Sequence, residues 1–88
     1  MPFAVFLHKK AAREFKRLDP PTRKRLKKEI AQLAGMPEKG KHLEHSPFWS
    51  LRVGDYRAIY EIDREGSTVT VLFVGHRKKV YDDFSKLI

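Results

Sequence analysis

Eighty-eight residues allow one domain built on one hydrophobic core, spanning 1–88. At 41% hydrophobic and 34% charged residues the chain is globular rather than disordered. Its 19 Lys and Arg against 11 Asp and Glu leave a net charge of +8, which excludes an acidic tail and points to a polyanionic partner. The absence of cysteine excludes disulfides, thiolate metal sites and a thiol nucleophile. No apolar run is long enough to span a bilayer, and MPFAVFL passes straight into HKKAAREFKR, unlike a signal peptide. The expectation is a soluble, cytoplasmic, basic domain. The chain has no Asn and one Gln (Gln32) amid many Lys, Arg and Glu, a bias in keeping with a thermophilic source.

In chain order, Phe3 to Leu7 reads as a buried first strand. From His8 the period changes, and Ala11, Phe15 and Leu18 form one helical stripe amid Lys and Arg. Asp19-Pro20-Pro21 ends this helix and starts a second, with Asp19 as N-cap and proline in the first turn. Leu26, Ile30 and Leu33 are the inner stripe of that second helix. Lys24, Lys27 and Lys28 lie on its outer face, as candidate phosphate contacts or a solvated surface, and Gly35 and Pro37 stop it.

Residues 36–48 read as a loop. His42 and His45 within it lack further residues at metal-ligand spacing, so no metal site and no cofactor are expected. The period then becomes 2. Trp49, Leu51 and Val53 alternate with Ser50 and Arg52, Gly54-Asp55 suits a two-residue type II′ turn, and Tyr56 to Ile62 forms the returning strand. A third strand runs over Thr68 to Gly75, with Val69, Val71 and Phe73 on its apolar side. Pairing Ile62 with Val69, Tyr60 with Val71 and Ala58 with Phe73 keeps the apolar sets together. Residues 79–88 read as a short helix bearing Val80, Phe84, Leu87 and Ile88. The order β-α-α-β-β-β-α predicts an α+β domain, an antiparallel meander with the helical hairpin on one face and the other partly open.

The charge is unevenly placed, +7 over residues 1–44 and +1 over 45–88. The first half supplies the long-range field, which leaves more specific chemistry to the second. The Gly54-Asp55 turn sets Arg52 opposite Arg57. Like charges so placed are unfavourable unless an anion joins them or Glu61 or Asp55 neutralises them. Continuing the alternation puts Val74 beside Arg57 and His76 on its face, with Arg77 near and Tyr81 one helical turn further. Arg52, Arg57, His76, Arg77 and Tyr81 would then form a cationic pocket with two titratable groups, extended by Lys78 and Lys79. RNA cleavage through the 2′-hydroxyl needs such parts: cations for the phosphorane charge, a base for the 2′ proton and an acid for the leaving oxygen. Arginine holds phosphate but keeps its proton, whereas histidine titrates near neutrality.

LRVGDYRAIYEI (51–62) followed by VLFVGHRKKVYDDF (71–84) resembles the RelE branch of the RelE/ParE toxin superfamily, and the likeness spans the whole chain. The resemblance implies a toxin of a type II toxin–antitoxin pair. It would act as a ribosome-dependent endonuclease that cleaves mRNA in the A site without metal and is silenced by an acidic RelB-like antitoxin. It implies phosphate binding by Arg57, transition-state stabilisation by Arg77 and proton transfer by Tyr81. Where that pattern has two lysines before the hairpin, this chain has Phe48 and Ser50, leaving the base open, with His76 a candidate. A gyrase-binding ParE-like toxin and a non-catalytic RNA-binding member are the alternatives. The free toxin is expected to be monomeric.

Overall fold

The computed structural model describes residues 2–78. Its strands are β1 (Ala4–Leu7), β2 (Lys41–His42), β3 (Phe48–Val53), β4 (Tyr56–Asp63) and β5 (Thr68–His76). Its helices are α1 (Lys9–Lys16) and α2 (Pro20–Ala31), followed by 3-10 turns at Gln32–Ala34 and Pro37–Lys39. One five-stranded sheet runs in the order β1-β5-β4-β3-β2, antiparallel except where β1 lies parallel to β5 at the edge. The α+β class and the central meander are as the sequence predicts. The helix expected over 79–88 lies outside the described residues.

Local chemistry sets the helix ends. The His8 ring accepts from the Lys10 N–H at 3.5 Å as the N-cap of α1. Asp19 accepts from the Thr22 N–H at 3.3 Å, and the Thr22 hydrogen bonds hold its carboxyl below the usual range. Arg23 donates through Nη1 to the carbonyls of Lys16 and Leu18, each at 3.3 Å, which fixes the turn between the helices. Gly35 is a weaker stop than its type suggests. Its φ of −97° is not left-handed, and the α-helix has already tightened into a 3-10 turn at Gln32.

Ala11 of α1, Leu26 and Ile30 of α2 and Leu33 pack on Leu51, Val53, Ala58, Tyr60, Val69, Val71 and Val74 to make the main core. Each large side chain fully buried in this way contributes about 1.5–3 kcal/mol. The other sheet face carries a second, smaller cluster, Ile59 and Phe73 with Leu43, Phe48 and Leu72 beside them.

Three sequence expectations are corrected. Ile62 pairs with Val69 and Tyr60 with Val71 as predicted, but a bulge between Ile59 and Tyr60 pairs Ile59 with Phe73 and Ala58 with Val74. Leu72 is the extra residue, so Phe73 moves to the second face and Val74 enters the main core. Arg57 therefore faces Gly75, not Val74. The segment 36–48 is not all loop, because Lys41 and His42 pair with Ser50 and Trp49.

Tyr60 ties that segment down. Fully buried, it donates to the Pro37 carbonyl at 2.7 Å and accepts from the Gly40 N–H at 3.0 Å. A Cβ at Gly40 would lie 2.7 Å from both the Ser50 carbonyl oxygen and the Tyr60 hydroxyl, so glycine is required there. Tyr60→Phe is expected to cost about 1–2 kcal/mol, and Gly40→Ala more, read as a lowered midpoint in thermal denaturation followed by circular dichroism. Burial pushes the Tyr60 phenol above its ordinary 10.0. Ionisation is then easier in the unfolded chain, so this residue's contribution is intact below pH 10.0 and declines as pH rises through the folded value. Tyr60→Phe should lose that part of the alkaline slope.

Candidate nucleic-acid site

The site begins at a turn. Gly54 has φ +63° while Asp55 stays out of the left-handed region, as a type II′ turn requires. Two residues of loop then fix the register, with Val53 opposite Tyr56 and Arg52 opposite Arg57. Because side chains alternate across a strand, one row on the second face runs Lys41, Ser50, Ile59, Phe73. The next runs Arg52, Arg57, Gly75. Arg57 thus stands between another guanidinium and a residue with no side chain.

Ser50 is the one buried polar residue among those described, 3% exposed, and its Oγ accepts from Arg57 Nη1 at 3.3 Å. Arg52 donates through Nε to the Gly54 carbonyl at 3.1 Å. Neither Asp55 nor Glu61 forms an ion pair with Arg52. Outside β3, where β2 stops, a cleft of about 620 Å³ opens between Lys39, Lys41, Ser50, Arg52 and Arg57, with Glu29 its single acid among the described residues. Lys39 binds Glu29 and the Gln32 side-chain oxygen, and the Lys39 hydrogen bond holds the Glu29 carboxyl below its usual range. Lys10 approaches the same sheet face from α1, its ammonium 5.1 Å from the Phe73 ring centre.

The other predicted residues divide. The Arg77 N–H donates to the Asp55 carbonyl at 2.9 Å, so the end of β5 is bound to the hairpin turn. His76 pairs with Tyr56 and stacks edge-on against its ring at 5.8 Å, on the helix-covered side of the sheet. It does not share the face of Arg57, because the bulge reverses the alternation. Lys24, Lys27 and Lys28 are exposed on α2, and Lys78 is exposed just past Arg77. Lys79 and Tyr81 lie outside the described residues. His42 rests on Trp49 with ring centres 4.9 Å apart, and among the described residues no group of His, Asp and Glu could hold a metal ion. Sequence reasoning missed Lys39, Lys41 and the role of Ser50. A two-residue strand has no periodicity to betray it, although a serine between apolar strand residues was a usable signal.

The family model for the ParE toxin of the type II parDE system matches residues 5–81, and the chain belongs to this family, within the RelE/ParE superfamily. Its solved neighbours are RelE toxins. It is similar to a chain of the RelBE2 toxin–antitoxin complex from Mycobacterium tuberculosis, with 31% identity over 88% of this chain and 100% of that one at TM-score 0.76. It is similar to a chain of the RelB–RelE complex from Methanococcus jannaschii, with 28% identity over 91% and 99% at TM-score 0.72. A free-state mutant of E. coli RelE, 24% identical over 100% and 99%, shares the fold at TM-score 0.81. No curated protein sequence matches the chain. No helix among the described residues is long and apolar enough to cross a membrane.

The opposed arginines give a direct test. Removing one charge with Arg52→Gln should raise stability at low salt by up to about 1 kcal/mol, and the gain should shrink as salt screens the pair. Sulfate should stabilise the unsubstituted protein more than the variant. Equal melting curves in low and high salt would refute the repulsion.

Proposed function

We propose that this toxin is a ribosome-dependent endoribonuclease that cleaves mRNA in the A site and stops translation. The observation that carries the reading is the pair Arg52 and Arg57, directly opposed at a cationic cleft, with no acid among the described residues paired to Arg52. In this mechanism the substrate's 2′-oxygen attacks the phosphorus, an O–P bond forms and the bond to the 5′-oxygen breaks, leaving a cyclic phosphate and a free 5′-hydroxyl. Arg57, held by Ser50, and Arg77 carry the developing phosphorane charge. The base that takes the 2′ proton and the acid that protonates the leaving oxygen are sought in Tyr81 and His76, as the likeness to RelE implies. Lys41 adds an amine to the cleft itself. Nothing in the scheme calls for a metal.

Lys24, Lys27 and Lys28 on α2, with Lys78 and Lys79, provide a field for ribosomal RNA, and the net charge of +8 suits it. The same charge suits an acidic RelB-like antitoxin that folds as it binds. The M. tuberculosis, M. jannaschii and Pyrococcus horikoshii neighbours are complexes of RelE with RelB. The site of action is then the cytoplasm.

The matching family model favours a second reading, a gyrase-directed toxin. That role has no use for paired phosphate-binding arginines on the sheet. Mapping mRNA ends in a translation extract separates the two: codon-phased cuts that require ribosomes support the first, and trapped gyrase–DNA complexes the second. Arg57→Ala should relieve growth arrest and slow cleavage by about 10²–10³-fold, with an unchanged circular dichroism spectrum. Wild-type cutting by a folded Arg57→Ala protein would end the nuclease assignment.

A further inference from the structure

The tip of the β3–β4 hairpin holds a second cation that the cleft does not use. Arg25, on α2, brings Nη1 and Nη2 to 3.7 and 3.8 Å from where a Cβ of Gly54 would stand. Arg52 grips the carbonyl of the same glycine. Two guanidinium groups from different elements therefore meet at one residue.

Among the described residues Arg25 makes no hydrogen bond and no ion pair. Its natural partner is Glu29, one helical turn on. That carboxylate is ion-paired to Lys39 and acts on Arg25 only through space, with no direct contact. Asp55, at the turn, is ion-paired to neither arginine. Arg25 lines a surface pocket of about 170 Å³ with Thr22, Gly54, Asp55 and Tyr56. Arg52, which lines the large cleft, donates to the carbonyl of Gly54, which lines this small one, so one hydrogen bond links the two linings.

We propose that Arg25 and the Gly54 turn form a second phosphate site, which takes the backbone of a single-stranded RNA as it leaves the cleft around the hairpin tip. A guanidinium with open donors beside a glycine, where no side chain blocks approach, suits a phosphodiester oxygen. The inference rests on reading the cleft as an RNA site and adds a direction, from Arg57 past Arg52 towards α2.

The test is fluorescence anisotropy with a labelled, uncleavable 2′-O-methyl RNA of twelve nucleotides, titrated over a range of salt. Arg25→Gln should weaken binding several-fold and lower the slope of log K against log salt by about 0.7, the share of one phosphate on a single strand. Arg57→Gln should do the same, and the double variant should lose about twice as much slope, because each arginine takes a different phosphate. An Arg25→Gln protein with unaltered affinity and slope overturns the site, as does a double variant no worse than either single one. If Arg57→Gln alone has no effect while Arg25→Gln keeps its own, the cleft reading fails and the tip site stands. Arg25 is exposed and makes no internal bond, so an unchanged thermal melt for Arg25→Gln is expected and checks the fold.

Discussion

Two like charges held face to face by a two-residue turn are the constraint on which the site depends. Gly54 can take φ +63° without strain, the turn closes in two residues, and every pair up the hairpin follows. Slipping the register by one would separate Arg52 from Arg57, but it would also expose Leu51, Val53 and Ala58. The core thus enforces a repulsion that the site itself could not sustain. Burial of several apolar side chains far exceeds the cost of one arginine pair.

The cleft is held open by equally ordinary means. Tyr60 fastens the Pro37–Gly40 segment from beneath, and Lys39 fastens it to Glu29 and Gln32 from the side. That segment delivers Lys41 to the sheet edge opposite Ser50, and Ser50 in turn holds Arg57. The acid in the cleft is occupied in this scaffold, so it does not cancel the arginines. The same ion pair leaves Arg25 without a direct contact to Glu29, so the clamp that builds the cleft also leaves a guanidinium at the hairpin tip.

Much of this was legible. The Asp19-Pro20-Pro21 boundary, the Gly54-Asp55 turn and the Arg52–Arg57 register follow from chemistry local to a few residues. The bulge was not legible, because Val71, Leu72, Phe73 and Val74 are all apolar and either face accepts any of them. Only the three-dimensional fit of Ile59 against Phe73 chooses. That one extra residue carries His76 to the far side of the sheet from Arg57, which no period-2 argument could foresee. The β2 strand escaped for a different reason: its two residues are charged or polar, and their pairing is imposed by the Tyr60 anchor twenty residues away.

The placement of His76 narrows the chemistry. A proton carrier for a phosphate between Arg52 and Arg57 must project on their face of the sheet. Among the described residues, Lys41 and Ser50 meet that condition and His76 does not. His76 could serve a substrate only where the strand wraps over the end of β5, beside Arg77 and the turn to which Arg77 is bound. The hairpin tip is the part of the molecule that both faces share. On the proposed path this is where the RNA strand meets Arg25 after leaving Arg57 and Arg52. The proposed cleavage therefore stays with Arg57 in the cleft, and the hairpin tip with Arg25 lies on the path beyond it.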